Sequence, residues 1–181
     1  MLEFRQATAD DIPTLNALIE RSARLLSRGF YSAQETESAI RYVFGVDSSL
    51  VADGTYFVVT DGAELVACGG WSRRRTLYGG DQRPMGADDR LDPGTEAARI
   101  RAFFVAPEYA RQGIGRRLLD ACIDAARDAG FNRLELMSTL PGVPLYTACG
   151  FTKVSDVVDV LPDGVPVRFV HMERAIRSAT A

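Results

Sequence analysis

Histidine is almost missing from this chain, in which His171 stands alone. A metal site built from imidazoles, or a serine hydrolase with a histidine base, would have to rest on that single residue. No Gly-x-Ser-x-Gly elbow accompanies it, no cysteine pair has ligand spacing, and no run of carboxylates resembles a calcium loop. The sequence therefore predicts no metal. Cysteine is sparse as well. Cys68, Cys122 and Cys149 are odd in number and far apart, which suits free thiols in a reducing compartment, the cytoplasm, better than a disulfide framework. Charge of one sign is lacking: 21 Lys and Arg against 24 Asp and Glu leave a net −3, no footprint for nucleic acid. No apolar run reaches the length of a membrane span, and residues 1–10 hold no secretory hydrophobic stretch. What is present is globular composition, 46% hydrophobic and 25% charged, sufficient to give residues 1–181 one continuous core as a single domain.

Patterning predicts strands and helices in mixed order. Residues 2–7 alternate as a strand. Thr8 with Asp11, and Ser32 with Glu35, carry the spacing of helix capping boxes. The first opens a helix through Ile12, Leu15 and Ile19 to about Ser27; the second opens one that includes Ala39, Ile40, Val43 and Phe44. Residues 55–60 and 64–71, joined by Asp61-Gly62, read as a β-hairpin. Residues 73–94 have no period and form a long, mobile loop. After a strand at 99–105, Ile114, Leu118, Leu119, Cys122, Ile123 and Ala126 make one apolar helical stripe that ends near Gly130. A short strand at 134–137, a short helix at 143–148 and closing strands at 151–160 and 165–172 follow. The fold class is α/β, with helices covering a central mixed sheet.

The chemistry concentrates between Ile100 and Leu119, I-R-A-F-F-V-A-P-E-Y-A-R-Q-G-I-G-R-R-L-L. A strand ends, a loop carries Gly113 and Gly115, and a helix begins. Main-chain N–H groups and the helix start converge there, with Arg111 and Arg116 adding charge, as a pyrophosphate cradle requires. A tight strand-to-helix turn would select the same glycines. The Rossmann pattern fails because Leu118 stands three residues after Gly115, and the Gly-Lys-Ser/Thr ending of a triphosphate loop is missing.

The segment V-A-P-E-Y-A-R-Q-G-I-G-R-R-L-L resembles the acetyl-CoA-binding motif of the GNAT superfamily of N-acetyltransferases. One departure is Ala110 where the family has Arg or Gln, the basic residue being Arg111 instead. Downstream, L-E-L-M-S-T-L-P-G-V-P-L-Y-T-A-C-G-F resembles the family's next strand and helix, with Tyr146 four residues before Gly150-Phe151. The resemblance implies a GNAT-like mixed sheet and transfer of an acetyl group from acetyl-CoA to a primary amine by direct attack. It further implies a bulged strand whose main chain at Phe103, Phe104 and Val105 binds the pantetheine arm and acyl carbonyl. Arg111, Gln112, Gly113, Ile114, Gly115 and Arg116 take the phosphates, and Tyr146 protonates the leaving sulfur. Thr139 replaces an Asn that many members use.

Several residues carry weaker expectations. Glu96 is a candidate general base, beside the alternative of ordered water. Arg73, Arg74 and Arg75 either meet an acidic ligand or form an exposed loop run. His171 reads as a packing or surface residue. The loop at 73–94 and the two N-terminal helices should wall an acceptor site whose amine the sequence does not identify. A homodimer is compatible with this reading. A non-catalytic acyl-CoA sensor on the same fold is the competing one; it would need the glycine loop but no proton donor at Tyr146.

Overall fold

The computed structural model describes residues 1–83 and 89–176. Among these residues seven strands form one sheet: β1 (Leu2–Gln6), β2 (Tyr56–Asp61), β3 (Glu64–Ser72), β4 (Ala98–Val105), β5 (Arg133–Thr139), β6 (Thr152–Val160) and β7 (Pro166–Ala175), in the order β1-β2-β3-β4-β5-β7-β6. Every neighbouring pair is antiparallel except β4 and β5. A parallel pair needs a crossover, which α4 (Ile114–Asp128) supplies. The other helices are α1 (Ile12–Leu26), α2 (Ala33–Tyr42), α3 (Ser48–Ala52) and α5 (Val143–Ala148).

Both capping boxes close locally. Asp11 accepts from the Thr8 N–H at 2.8 Å, and Ser32 and Glu35 exchange bonds of 2.7 and 3.1 Å. The second helix stops earlier than its apolar spacing suggests. At Val43 the backbone leaves helical geometry, and the N–H groups of Val43 and Phe44 both close on the Ala39 carbonyl, which turns Phe44 inward. The helix α3, absent from the sequence reading, is one short turn capped by Asp47, whose carboxylate accepts from the Ser49 N–H at 2.9 Å.

The core has two apolar clusters. Leu136 of β5 packs with Leu119 and Ile123 of α4, while Met137, next in the chain, packs against the cluster containing Leu15, Ile19 and Ala39 of α1 and α2. Alternation along a strand puts these on opposite faces, so helices flank the sheet on both sides.

Residues 73–94 hold no helix or named strand among the described residues, but they are fastened rather than loose. Arg74 and Arg90 form an isolated bridge, and Leu91 N–H meets the Arg73 carbonyl at 2.7 Å. Gly80 N–H bonds the Val43 carbonyl at 2.8 Å, and Gln82 Nε2 bonds that of Phe44 at 2.7 Å. The expected mobile loop is thus a wall pinned to the end of α2 over its described part; residues 84–88 lie outside the described residues.

Candidate active site

The strands β4 and β5 pair only at Ala98–Leu134 and Arg99–Glu135, then diverge although both run several residues further. Opposite, β4 stays paired to β3 but carries one extra residue: Cys68 faces Phe104 and Gly70 faces Arg101. The surplus is a β-bulge at Ala102, whose φ of +52° is left-handed. The Tyr56 hydroxyl donates to the Ala102 carbonyl at 2.9 Å, and the Phe103 ring lies over Gly69, where a Cβ would come within 2.7 Å of it. Bulge and divergence together open a cleft lined by Ala102–Val105 of β4, Leu136 and Met137 of β5, and Leu145 and Tyr146 of α5.

At one end of this cleft lies the loop into α4. Gly113 is the residue before the helix, with φ +81° and open space around its Cβ position; Arg111 is also left-handed at +64°. The first-turn N–H groups of α4 have no partner within the helix by geometry, and they face outward beside exposed Arg111, Gln112 and Arg116. Gly115 lines the cleft, and a Cβ there would sit 3.2 Å from Leu145. Ile114 turns inward and is buried. Of the predicted loop residues, Gly115 lines the cleft, Arg111, Gln112 and Arg116 are exposed, and the Ile114 side chain is buried.

Tyr146 sits in the middle. Its ring packs edge-on against Phe103 at 6.3 Å and Phe151 at 5.7 Å. Burial is the main cause that pushes its phenol well above the ordinary value, with smaller effects from Cys122 and Cys149. It therefore stays protonated, and no hydrogen bond from it to any described residue is present. Thr139 also lines the cleft.

A family model for the GNAT acetyltransferases matches residues 19–151, which contain the bulged strand, the glycine loop and Tyr146. The chain belongs to this family. A search of curated proteins finds no match. Among solved structures, a GCN5-related N-acetyltransferase of Rhodopseudomonas palustris is similar at a TM-score of 0.68 with 15% identity, over 96% of this chain and 94% of that one. PaiA N-acetyltransferase of Thermoplasma acidophilum, in complex with coenzyme A, has a TM-score of 0.64 at 16% identity, covering 97% of this chain and 99% of its own. YncA of Salmonella typhimurium, a putative acetyltransferase with its cofactor acetyl-CoA, has 0.64 at 14%, covering 100% and 97%.

Within this GNAT fold other predicted residues stand away from the cleft. Glu96 accepts from Arg75 at 2.6 Å and from the Asp92 N–H at 2.8 Å, and these bonds hold its carboxyl below the ordinary range. It does not line the cleft, which corrects its candidacy as base. Arg74 grips Asp53 in two bonds of 2.7 and 2.8 Å, and Arg73 lies over Trp71, so the arginine run fastens the loop. His171 bonds Glu135 at 2.7 Å on the sheet surface, and Arg99 pairs with the same carboxylate.

Two functional features escaped sequence reasoning. Arg101, 2% exposed, donates to the Asp47 carboxylate at 2.9 Å and to the carbonyls of Thr76 and Gly79 at 2.9 and 2.6 Å. It ties the cleft floor to the loop wall. The Gly69-Gly70 pair in β3, a signal of close approach inside a strand, makes room for Phe103 and Tyr56.

Proposed function

We propose that the protein is an N-acetyltransferase that uses acetyl-CoA as co-substrate and a primary amine as acceptor, in the cytoplasm. The observation that carries this reading is the splay of β4 from β5 beside a bulge, with the glycine loop at one end and a protonated tyrosine at the centre. The residues suit the ligand: Gly113 leaves open space before the first turn of α4, and the unpaired edge of β4 offers amide groups for an extended arm. The PaiA and YncA structures hold coenzyme A and acetyl-CoA, which supports the same placement here.

Bound acetyl-CoA would supply an activated thioester. Main chain at Phe103, Phe104 and Val105 orients the acyl carbonyl, and an N–H near Val105 stabilises the negative charge that develops on its oxygen. The N–H groups of Arg111–Arg116 and the guanidinium groups of Arg111 and Arg116 hold the phosphates. As the amine nitrogen bonds to the carbonyl carbon and the C–S bond breaks, Tyr146 gives its proton to sulfur, and the proton shed by the nitrogen returns through water to the Tyr146 phenolate, leaving amide and thiol. The apolar surroundings disfavour an ammonium ion, so they help present the amine in its neutral form without a dedicated carboxylate base.

Thiol release from acetyl-CoA with a panel of amines tests the reading, together with calorimetry. Gly113→Asp sets a side chain and a negative charge against the phosphates, and should abolish measurable acetyl-CoA binding in a folded protein. Unchanged affinity would remove the cradle.

A further inference from the structure

The far end of the cleft, beyond Phe103, is built of rings. Phe44, Phe104 and Phe169 pack edge to face, with centroids at 5.6 Å for Phe44–Phe104 and 6.5 Å for Phe44–Phe169. Tyr78 leans on Phe169 at 5.6 Å, and Val43 and Leu77 complete the wall. These residues come from four separate parts of the chain and meet at one place because the loop is fastened to the end of α2.

The charges nearby are already engaged. Arg101, the single charged residue among the described cleft-lining residues, is committed to Asp47 and two carbonyls. Asp159 accepts from the Tyr78 hydroxyl at 2.9 Å and from Arg83 at 2.6 Å, and the Arg83 guanidinium lies 4.4 Å over the Tyr78 ring. An acceptor bearing a carboxylate would find no uncommitted cation among these residues. The second ammonium of a polyamine would meet the Arg83 guanidinium, which already lies over the Tyr78 ring and pairs with Asp159, and like charges repel.

Resting on the acetyl-transfer reading, we infer that the acceptor is a small primary amine carried on an aromatic ring, the ring seated among Phe44, Tyr78, Phe104 and Phe169 and the nitrogen reaching toward Tyr146. Edge-to-face ring contacts and removal of apolar surface from water then supply recognition.

The test compares 2-phenylethylamine, spermidine and L-glutamate as acceptors, by thiol release with acetyl-CoA. The aromatic amine should be preferred in kcat/KM by roughly tenfold or more over either of the others. Phe44→Leu and Tyr78→Leu keep apolar bulk and remove a ring; each should lower kcat/KM for 2-phenylethylamine about threefold to tenfold while acetyl-CoA affinity stays unchanged. A preference for spermidine or glutamate would overturn the inference and leave acetyl transfer standing, as would variants that slow all three acceptors equally. Calorimetry with the coenzyme A complex separates the remaining cases. If 2-phenylethylamine binds but is not acetylated, the aromatic seat holds and the transfer reading fails; if it neither binds nor reacts, the seat itself is refuted.

Discussion

The Tyr56 hydroxyl donates to the main-chain oxygen of Ala102 at 2.9 Å, and so a fully buried side chain of β2 holds the bulge of β4 from two strands away. Tyr56→Phe keeps the ring and leaves that carbonyl without its partner. Chemical denaturation should show a loss of about 1–3 kcal/mol, the cost of an unsatisfied buried acceptor. If the carbonyl really shapes the cleft, acetyl-CoA should also bind more weakly. Wild-type stability in the Phe variant would show that the bulge needs no such anchor.

The ion pair between Arg101 and Asp47 is sealed from solvent, each side chain being 1% exposed. Asp47→Ala strands a buried guanidinium and removes the cap of α3. A loss of about 3–5 kcal/mol is expected from a urea titration. Arg101→Met with Asp47→Ala, which removes both charges, should recover part of it.

Alkaline conditions should destabilise the fold. Burial pushes the Cys68 thiol up to about 12 and raises Cys122, Tyr56 and Tyr146 as well. In the unfolded chain thiols and phenols ionise near their ordinary values of about 8.5 and 10. The folded state holds these protons more tightly, so stability is fully present below those values and falls as pH rises through them. Urea midpoints measured between about pH 7.5 and 10.5 should decline with a constant slope m. A flat midpoint would mean that the buried groups ionise as readily folded as unfolded.

Tyr146→Phe removes the phenol proton and keeps the contacts with Phe103 and Phe151. Acetyl-CoA affinity should hold, while turnover with any working acceptor should fall by roughly a hundredfold to ten-thousandfold, nearer the low end because a thiolate leaves readily. Wild-type turnover would take Tyr146 out of the reaction. Tight binding without transfer to any amine would favour a sensor of acyl-CoA.

Local features were readable from the sequence because their partners lie within a few residues. Thr8 and Asp11, Ser32 and Glu35, and Gly113 before α4 all act within one turn of chain, while Gly115, expected in the loop, already belongs to the helix. Tyr146, singled out by the resemblance that spans Gly150 and Phe151, lines the cleft. The contacts that shape the cleft were not readable, since they join distant positions: Arg101 to Asp47, Tyr56 to Ala102, Phe44 to Phe169. Charge in the loop was legible as composition, but whether Arg74 meets a ligand or Asp53 depends on packing that no local pattern encodes. The glycine pair at 69–70 was the one overlooked signal of close approach.

The short pairing of β4 with β5 also makes the sheet two antiparallel halves, β1-β2-β3-β4 and β5-β7-β6, sewn along a seam of two residue pairs. The helix α4 is the second line of stitching, because Leu119 and Ile123 touch the cluster that holds both Ile100 and Leu134. A ligand lying in the gap would grip both halves at once and become a third. The occupant of this cleft is then part of the architecture, and the cooperativity with which the two halves unfold should depend on whether the gap is filled.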